Sequence, residues 1–302
     1  VLFAALMMIC AIGSGNMPQI NNIASVLDST FSIPKLTTGL VLGVMLWMII
    51  AGGIKRIAKI ASKLVPIMAV IYFGGALVVV AENYQNIIPS FHSIFSQVFS
   101  GSAAAGGFLG ASFAMSLKLG VARGLYSNEA GQGSSPIAHA SAKAEHSVEQ
   151  GMVSILEPFI DTIVVCSVTA LVILSSGAWT QKYDNTFERS SMAIFAGSYA
   201  ESDSKDVEEL GKYILDARNF TSDTTNVENF TGNLNLIDGQ MQKQTVTVFH
   251  NNSIAEDVVF YQGAEPVSGL LEISDGKIAD SSVRVEGKSL IHSAELTSKA
   301  FG

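Results

Sequence analysis

The feature that most constrains the fold of this chain is a series of apolar runs, each close to the thickness of a lipid bilayer in helical length. About 20 apolar residues in a helix cross the hydrocarbon layer. One run starts at residue 1, a Val without a start methionine or a basic leader, so we expect an incomplete first span and a fragment of a longer protein. Four further runs, each a candidate span, cover residues 37–53, 64–81, 98–117 and 151–176.

Charge divides the chain into two parts. Residues 1–180 contain eight Lys or Arg and seven Asp or Glu, whereas residues 181–302 contain ten and nineteen. The net charge of −8 is therefore carried by the second part. This contrast predicts a transmembrane helical domain over residues 1–177 and a water-exposed domain over residues 178–302. The expected partner is the lipid bilayer, and the acidic balance argues against a nucleic-acid partner.

The basic residues predict the orientation. The segment GGIKRIAKIASK, residues 52–63, has four basic residues and no acidic one, which favours a cytoplasmic position. Its apolar residues keep helical spacing, so we expect an interfacial elbow that runs into the next span. Alternation then places residues 120–143 inside and residues 178–302 on the extracellular or periplasmic side. The prediction is a multi-pass protein of the cell (inner) membrane.

Two of the runs have features that a simple anchor does not need. The run at residues 98–117 has four glycines within ten residues. These glycines fit either close helix packing or an unwound binding segment, and both alternatives stay open. Asp161 lies inside the run at 151–176, where a carboxylate is expensive and usually marks an ion path. Glu157 is interpreted as a solvated charge at the cytoplasmic helix end.

Carboxamide side chains follow the first apolar run, in the stretch GSGNMPQINNIAS. Asn16, Gln19 and Asn21 offer donors and acceptors without charge, which suits a polar solute or the oxygen shell of a small cation. The alternative is an ordinary extracellular helix end at which Pro18 stops or kinks the helix.

The stretch GVARGLYSNEAGQGSSPIAHASAK, residues 120–143, places charges between apolar runs. It matches neither a phosphate-binding loop nor a hydrolase elbow, so we expect no enzyme. Its glycines are expected to form turns, and Asn128 to cap a helix. Arg123 and Glu129, of opposite charge, are expected to pair. His139 is interpreted as a surface or packing histidine.

Three stretches together resemble the alanine/glycine:cation symporter family, the sodium:alanine symporters. They are GGIKRIAKIASKLVPIMAVIY, GVARGLYSNEAGQGSSPIAHASA and QGMVSILEPFIDTIVVCSVTALVIL. The resemblance covers about residues 1–180 and implies a leucine-transporter-like fold of two inverted five-helix repeats. The chain would then be an all-α polytopic membrane protein containing helices three to seven, with an α+β extramembrane insertion. Pro18 departs from the small aliphatic residue that the family usually has there.

The resemblance also implies a function. We expect inward symport of a small neutral amino acid, alanine or glycine, with sodium as the coupling ion, a proton as the alternative ion, and no cofactor. The alternative function is a membrane-anchored receptor or structural protein whose outer domain carries recognition. The expected site residues are Asn16, Gln19, Asn21, Gly106, Gly107 and Phe108 for substrate, Asp161 and Thr162 for the cation, and Arg123, Asn128 and Glu129 for the gate.

The second part of the chain has patterns of its own. SDSKDVEELGKYILDAR has helical spacing, whereas QTVTVFHNNSIAEDVVFYQG and SGLLEISDGKIADSSVRVEGKSLI alternate like short strands with Asp-Gly and Glu-Gly turns. Cys10 and Cys166 both lie in apolar runs. We therefore expect a small, partly β domain without disulfides.

Overall fold

The computed structural model of the chain forms two compact units. The first unit contains Val1–Ser90, Gly120–Ala178 and Ser293–Gly302, and the second contains Phe91–Leu119 and Trp179–His292. The predicted domain limits at residues 177 and 178 stay a prediction. The residues that the structure describes are 2–100, 113–129, 133–140, 142–217, 225–242 and 245–302.

The helices of the chain include two π-helical segments. One, Ile12–Asn16, joins α1 to α2 without a break, and the other, Phe159–Val165, joins α8 to α9. Short 3₁₀ turns lie at Tyr84–Asn86 and Ala178–Thr180. The α-helices are α1 Leu2–Ala11, α2 Met17–Phe31, α3 Lys35–Ile50, α4 Gly53–Glu82, α5 Ile87–Ser100, α6 Phe113–Ser127, α7 Ser134–His139, α8 Ser147–Pro158, α9 Cys166–Ser176, α10 Ser204–Ala217 and α11 Ser293–Ala300.

Two helices in the described part of the chain are long and apolar enough to cross a membrane. They are Gly53–Glu82 and Ser147–Ser176, and only 11% of the most apolar window of each is buried. Most of the apolar side chains in these windows are therefore exposed in this chain. These helices contain the predicted runs 64–81 and 151–176. The 52–63 segment is helical as expected, and all but its first residue lies in α4, which continues unbroken.

The other predicted spans have different outcomes. The run at 37–53 lies largely in α3, an apolar helix of 16 residues. Most of the run at 98–117 lies outside the described residues. The predicted number of spans therefore stays a prediction.

The end of the chain returns to the first unit. Helix α11 packs against α2 and α9, and Ala300 is buried in one cluster with Ala76 and Val172. The ring of Phe301 lies 5.4 Å from the ring of Tyr72, centroid to centroid. These residues follow the β-rich part of the sequence, so both ends of that part join helices of the first unit.

The β-rich part contains three four-stranded antiparallel sheets. The strand orders are β1-β12-β8-β9, β11-β10-β4-β5 and β3-β2-β6-β7. The strands are β1 Tyr183–Thr186, β2 Met192–Ala196, β3 Glu228–Asn229, β4 Gly232–Ile237, β5 Gln240–Met241, β6 Val246–His250, β7 Ser253–Ile254, β8 Glu256–Gln262, β9 Glu265–Pro266, β10 Gly269–Ser274, β11 Lys277–Ile278 and β12 Val283–Ser289.

Strands from all three sheets supply one buried apolar core. Ile194, Leu234 and Phe260, from three different sheets, are completely buried in it. A second cluster lies where Leu210 and Ile214 of the amphipathic helix α10 pack against β2 and β6. The predicted helix and alternating strands of this part are thus present.

One predicted turn is confirmed and one is wrong. Asp275 and Gly276, between β10 and β11, have φ angles of 49° and 70°. Left-handed backbone at both positions suits a tight hairpin turn. Glu286 and Gly287, predicted as a turn, lie inside β12, where the register with β8 shifts by a bulge. Gly287 allows this bulge because a Cβ there would lie 2.8 Å from the carbonyl oxygen of Glu256.

Candidate functional site

The π-helix Phe159–Val165 carries the two residues predicted to bind a cation, Asp161 and Thr162. It begins directly after Pro158, which has no backbone N–H to donate and so disturbs the regular helix at this point. A π-helical turn inside an α-helix often occurs at a functional site. Here it lies within a 30-residue apolar helix.

The end of α6 contacts the carboxylate in this π-helix. Ser127 is the last residue of α6, and its Oγ donates a hydrogen bond to Oδ2 of Asp161 over 2.5 Å. The Sγ of Cys166 lies 3.6 Å from the same hydroxyl. All three side chains are partly buried. The serine therefore binds a side chain of another helix.

The next residue contacts the same π-helix. Nδ2 of Asn128 donates a hydrogen bond to Oγ1 of Thr162 over 3.2 Å, and that hydroxyl lies 3.4 Å from Oδ2 of Asp161. We call Ser127, Asn128, Asp161 and Thr162 the Asp161 cluster. A carboxylate, two hydroxyls and an amide supply the oxygen atoms that hard cations prefer. Sequence reasoning found Asn128, Asp161 and Thr162, but did not bring them together and did not assign Ser127 to them.

Glu129 lies just beyond the Asp161 cluster, between α6 and α7. Its φ is 55°, and its Oε2 accepts a hydrogen bond from Oγ of Ser134 over 2.5 Å. Arg123 lies on α6 and is exposed. No ion pair joins Arg123 to Glu129 among the described residues, so their pairing stays a prediction.

The glycines of the 120–143 stretch differ from expectation. Gly120 and Gly124, expected in turns, lie inside α6, because the apolar helix continues as far as Ser127. Gly133 has the predicted special backbone, with a φ of 81° before α7. Helix α6 therefore extends further into the 120–143 stretch than the glycine pattern indicated.

Four side chains of α7 and α8 form a second polar group, which we call the His139 cluster: Ser135, His139, Gln150 and Glu157. Oε2 of Glu157 accepts a hydrogen bond from Oγ of Ser135 over 2.6 Å and lies 3.1 Å from Nε2 of His139. Nε2 of Gln150 lies 2.5 Å from the other ring nitrogen, Nδ1. The interpretations of His139 as a surface or packing residue and of Glu157 as a solvated charge did not include this contact, and the two side chains are partly exposed. The available signal was the spacing of Ser135 and His139, which places both on one face of α7.

The predicted substrate residues lie elsewhere. Asn16 is the last residue of the first π-helix, and Gln19 and Asn21 follow in α2; all three are exposed. Within the part of the chain that the structure describes, none of them hydrogen-bonds to the Asp161 cluster. The neighbouring Asn22 accepts a hydrogen bond from Ser293 of α11 over 3.2 Å. Gly106, Gly107 and Phe108 lie outside the described residues.

Comparisons with known proteins identify relatives of the chain. The model of the sodium:alanine symporter family matches residues 1–202. The sodium/alanine symporter AgcS of Methanococcus maripaludis is 45% identical over 177 residues, which are 59% of this chain and 38% of that protein. The sodium/proton-dependent alanine carrier protein of Bacillus sp. (strain PS3) is 39% identical over 170 residues, 56% of this chain and 37% of that protein.

A third relative is named for a different substrate, glutamine. The probable sodium/glutamine symporter GlnT of Bacillus subtilis (strain 168) is 40% identical over 164 residues, 54% of this chain and 34% of that protein. The chain thus spans little more than a third of the length of these relatives. The family match covers helices α1 to α9, including the Asp161 cluster, so the resemblance seen in the sequence is confirmed. The chain belongs to the sodium:alanine symporter family, which consists of membrane transporters and not of enzymes.

Proposed function

We propose that this chain is the central part of a carrier that couples inward movement of a small neutral amino acid, such as alanine or glycine, to sodium. The observation that carries the proposal is the Asp161 cluster inside an apolar helix. Placing a carboxylate at the centre of a span costs at least about 2.5 kcal/mol of insertion free energy, so such a residue usually has a function. We propose that the function of Asp161 is to bind the cation that crosses the membrane.

The cation site has four side chains in this proposal. Asp161 supplies the charge, and Thr162 and Ser127 supply hydroxyl oxygens. The hydroxyl of Ser127 donates to Asp161 in this structure; rotation about its Cβ–Oγ bond turns its lone pairs toward an ion that the carboxylate binds. Asn128 has an amide carbonyl oxygen as a further ligand atom. Sodium is the coupling ion that we favour, with a proton as the alternative.

Gating follows from the position of the site. Ser127 and Asn128 lie where α6 ends, and α7 begins at Ser134. A helix that is interrupted at the binding site is the usual construction in carriers with alternating access. We assign Arg123, Asn128 and Glu129 to the inner gate. The hydrogen bond from Ser134, the first residue of α7, to Glu129 stabilises the closed gate in this proposal.

The proposed substrate site combines residues from two segments of the chain, 16–21 and 106–108. Asn16, Gln19 and Asn21 follow a π-helical turn, and their uncharged amides suit the carboxylate and ammonium groups of an amino acid. The glycines Gly106 and Gly107, with Phe108, are assigned to the same site. Two of the relatives are named for alanine and for glutamine, which are both neutral amino acids. We therefore propose a neutral substrate and favour a small one.

The proposed architecture is a leucine-transporter-like fold with inverted repeats, of which this chain contains helices three to seven. We place residues 178–302 outside the cell membrane as an α+β insertion between spans. The four basic residues near the start of α4 support a cytoplasmic position for that end. The return of α11 to the helices supports an insertion rather than a terminal domain.

An anchored receptor is the weaker alternative. An anchor needs only an apolar surface, and a polar cluster within its helices would reduce its stability. The Asp161 cluster favours the carrier for that reason.

Uptake by the full-length protein in liposomes tests the proposal. We expect labelled alanine or glycine to accumulate above its external concentration only when a sodium or proton gradient points inward. The Asp161→Asn variant should insert normally and lose the accumulation. Equilibration that needs no gradient would identify a channel, and specific binding without any uptake would support the receptor.

A further inference from the structure

The hydrogen bonds of His139 determine which ring nitrogen holds the hydrogen. Gln150 presents its amide nitrogen to Nδ1, and because this nitrogen only donates, Nδ1 is the acceptor. The ionised carboxylate of Glu157 only accepts, so the hydrogen lies on Nε2. In this arrangement Nε2 donates and Nδ1 accepts, so Nδ1 is the atom that can take up a proton.

Protonation would change the contacts of His139 on both sides. A hydrogen on Nδ1 makes this nitrogen a donor, so Gln150 has to rotate its amide and present Oε1 instead. The imidazolium then faces the carboxylate of Glu157. The carboxylate already makes this hydrogen bond charge-assisted, and a positive ring adds the attraction between opposite charges. Protonation thus strengthens the connection between α7 and α8.

An open groove lies beside this cluster. An open groove of about 580 Å³ is lined by Ser135, His139 and Gln150, together with small residues of both helices and of the segment between them. The side chains of His139 and Glu157 are 24% and 38% exposed. The ring of His139 is therefore reachable from the surface of the chain through this groove.

Other charged groups on these elements do not contact His139 in the described structure. The ones closest in sequence on α8, on the segment before it and before α7 are Glu149, Lys143, Glu145, His146 and Glu129. Glu129 is bonded to Ser134. Glu157 is thus the one carboxylate that faces the ring among the residues described.

We propose that His139 is a proton-binding site that regulates transport: a proton on Nδ1 fastens α7 to α8 through Glu157 and slows the carrier. The inference rests on the proposed function, because α7 follows the break at which the inner gate lies. Slowing follows because a carrier must exchange between conformations, and a stronger helix contact stabilises one of them.

The test is sodium-driven alanine uptake by the full-length protein in liposomes, with the same pH on both sides. Equal pH removes any proton gradient, so the remaining pH dependence reports titration of the protein. We expect the initial rate to fall roughly three- to tenfold between about pH 8 and about pH 5.5. His139→Gln should keep its rate across this range.

Two further variants make the test specific. Glu157→Gln keeps an acceptor but removes the charge that favours the imidazolium, so the midpoint of the profile should move about one pH unit lower. His146→Gln is the matched control, because His146 is an exposed histidine beside the same helix pair, at the start of α8. Its profile should equal that of the unchanged protein.

The outcomes separate the two hypotheses. Sodium-driven uptake with no acid decline, or with the same decline in His139→Gln, overturns the regulatory site and leaves the proposed function standing. If His139→Gln does not reach the membrane, an unchanged midpoint in Glu157→Gln overturns the site by itself. No sodium-driven uptake at any pH overturns the proposed function, and this inference with it.

Discussion

The hydroxyl of Tyr72 donates a hydrogen bond to the hydroxyl of Thr169, 97 residues further along the chain. The direction follows because Oγ1 of Thr169 gives its own hydrogen to the carbonyl oxygen of Val165 over 2.7 Å. Val165 is the last residue of the π-helix that contains Asp161. Tyr72 therefore connects α4 to the end of this π-helix.

This relationship predicts an ordered effect of two substitutions. Tyr72→Phe keeps the ring and removes one hydrogen bond, so it should lower the free energy of unfolding by about 1 kcal/mol. Thr169→Val removes both bonds and should cost more. The measurement is the thermal unfolding midpoint of the full-length protein in detergent. Tyr84→Phe, at a side chain that is 64% exposed, is the control and should change little. Equal midpoints for Tyr72→Phe and Tyr84→Phe would contradict the prediction.

The Asp161 cluster predicts how uptake depends on sodium concentration. Ser127→Ala removes the hydroxyl that binds Asp161, so about ten times more sodium should be needed for half-maximal uptake, the equivalent of about 1.4 kcal/mol. The matched control is Ser154→Ala, since Oγ of Ser154 only bonds to the carbonyl oxygen of Gly151 on its own helix. A sodium dependence that is the same in both variants would remove Ser127 from the cation site.

Local patterns allowed much of the fold to be predicted. Apolar length located the two long helices, and the spacing of α10 and the alternation of β6, β8 and β10 located the elements of the β-rich part. Asp161 was singled out by a local argument too, since a carboxylate in an apolar run needs no knowledge of its neighbours to be unusual.

What the sequence did not reveal depends on contacts between distant residues. Ser127 and Asp161 are 34 residues apart, and only the packing of α6 against the π-helix brings them together. The same holds for His139 and Glu157. The bulge at Gly287 was taken for a turn because Glu-Gly satisfies turn preferences, whereas pairing of β12 with β8 decides the backbone there. The π-helix had one local signal, Pro158.

Two glycines of the β-rich part form a matched test of close packing. Gly276 and Gly263 have similar left-handed φ angles of 70° and 66°. A Cβ on Gly276 would lie 3.0 Å from Oδ1 of Asn229 and 3.0 Å from the carbonyl oxygen of Ile194, whereas nothing lies within 4 Å at Gly263. Both Ala variants carry a backbone cost of about 1–2 kcal/mol. Gly276→Ala should lose clearly more stability.

Limited proteolysis of the full-length protein measures this difference, because cleavage follows the population of opened molecules when opening is fast. Cleavage within residues 179–292 should be fastest in Gly276→Ala and intermediate in Gly263→Ala. Equal rates in the two variants would show that the atoms around Gly276 move to accept the added methyl group without a further loss of stability.

His250 predicts an acid-sensitive step in the β-rich part. Its Nε2 accepts a hydrogen bond from the backbone N–H of Glu188 over 3.2 Å, and its Nδ1 lies 2.7 Å from Oγ of Ser289. The ring stacks on Phe187 with centroids 4.4 Å apart. Burial, with a smaller contribution from the charge of His292, lowers the pKa of His250 from 6.5 to about 4. The folded state therefore holds a neutral imidazole.

The sign of the pH effect follows from this depressed pKa. Between about pH 6.5 and the folded pKa of about 4, the unfolded chain binds a proton at His250 and the folded chain does not. The contribution of His250 to folding stability is thus fully present above about pH 6.5. It falls as the pH falls through this window and changes no further below it, with a total loss of about 3 kcal/mol.

We expect proteolysis within residues 179–292 of the full-length protein to accelerate from pH 7 to pH 5, measured with an acid-tolerant protease and normalised to an unfolded substrate. His250→Gln should be cleaved faster at pH 7 but with a weaker pH dependence, whereas His292→Gln, at an exposed histidine, should keep most of it. The same acceleration in His250→Gln would assign the acid sensitivity to carboxylates of this part instead.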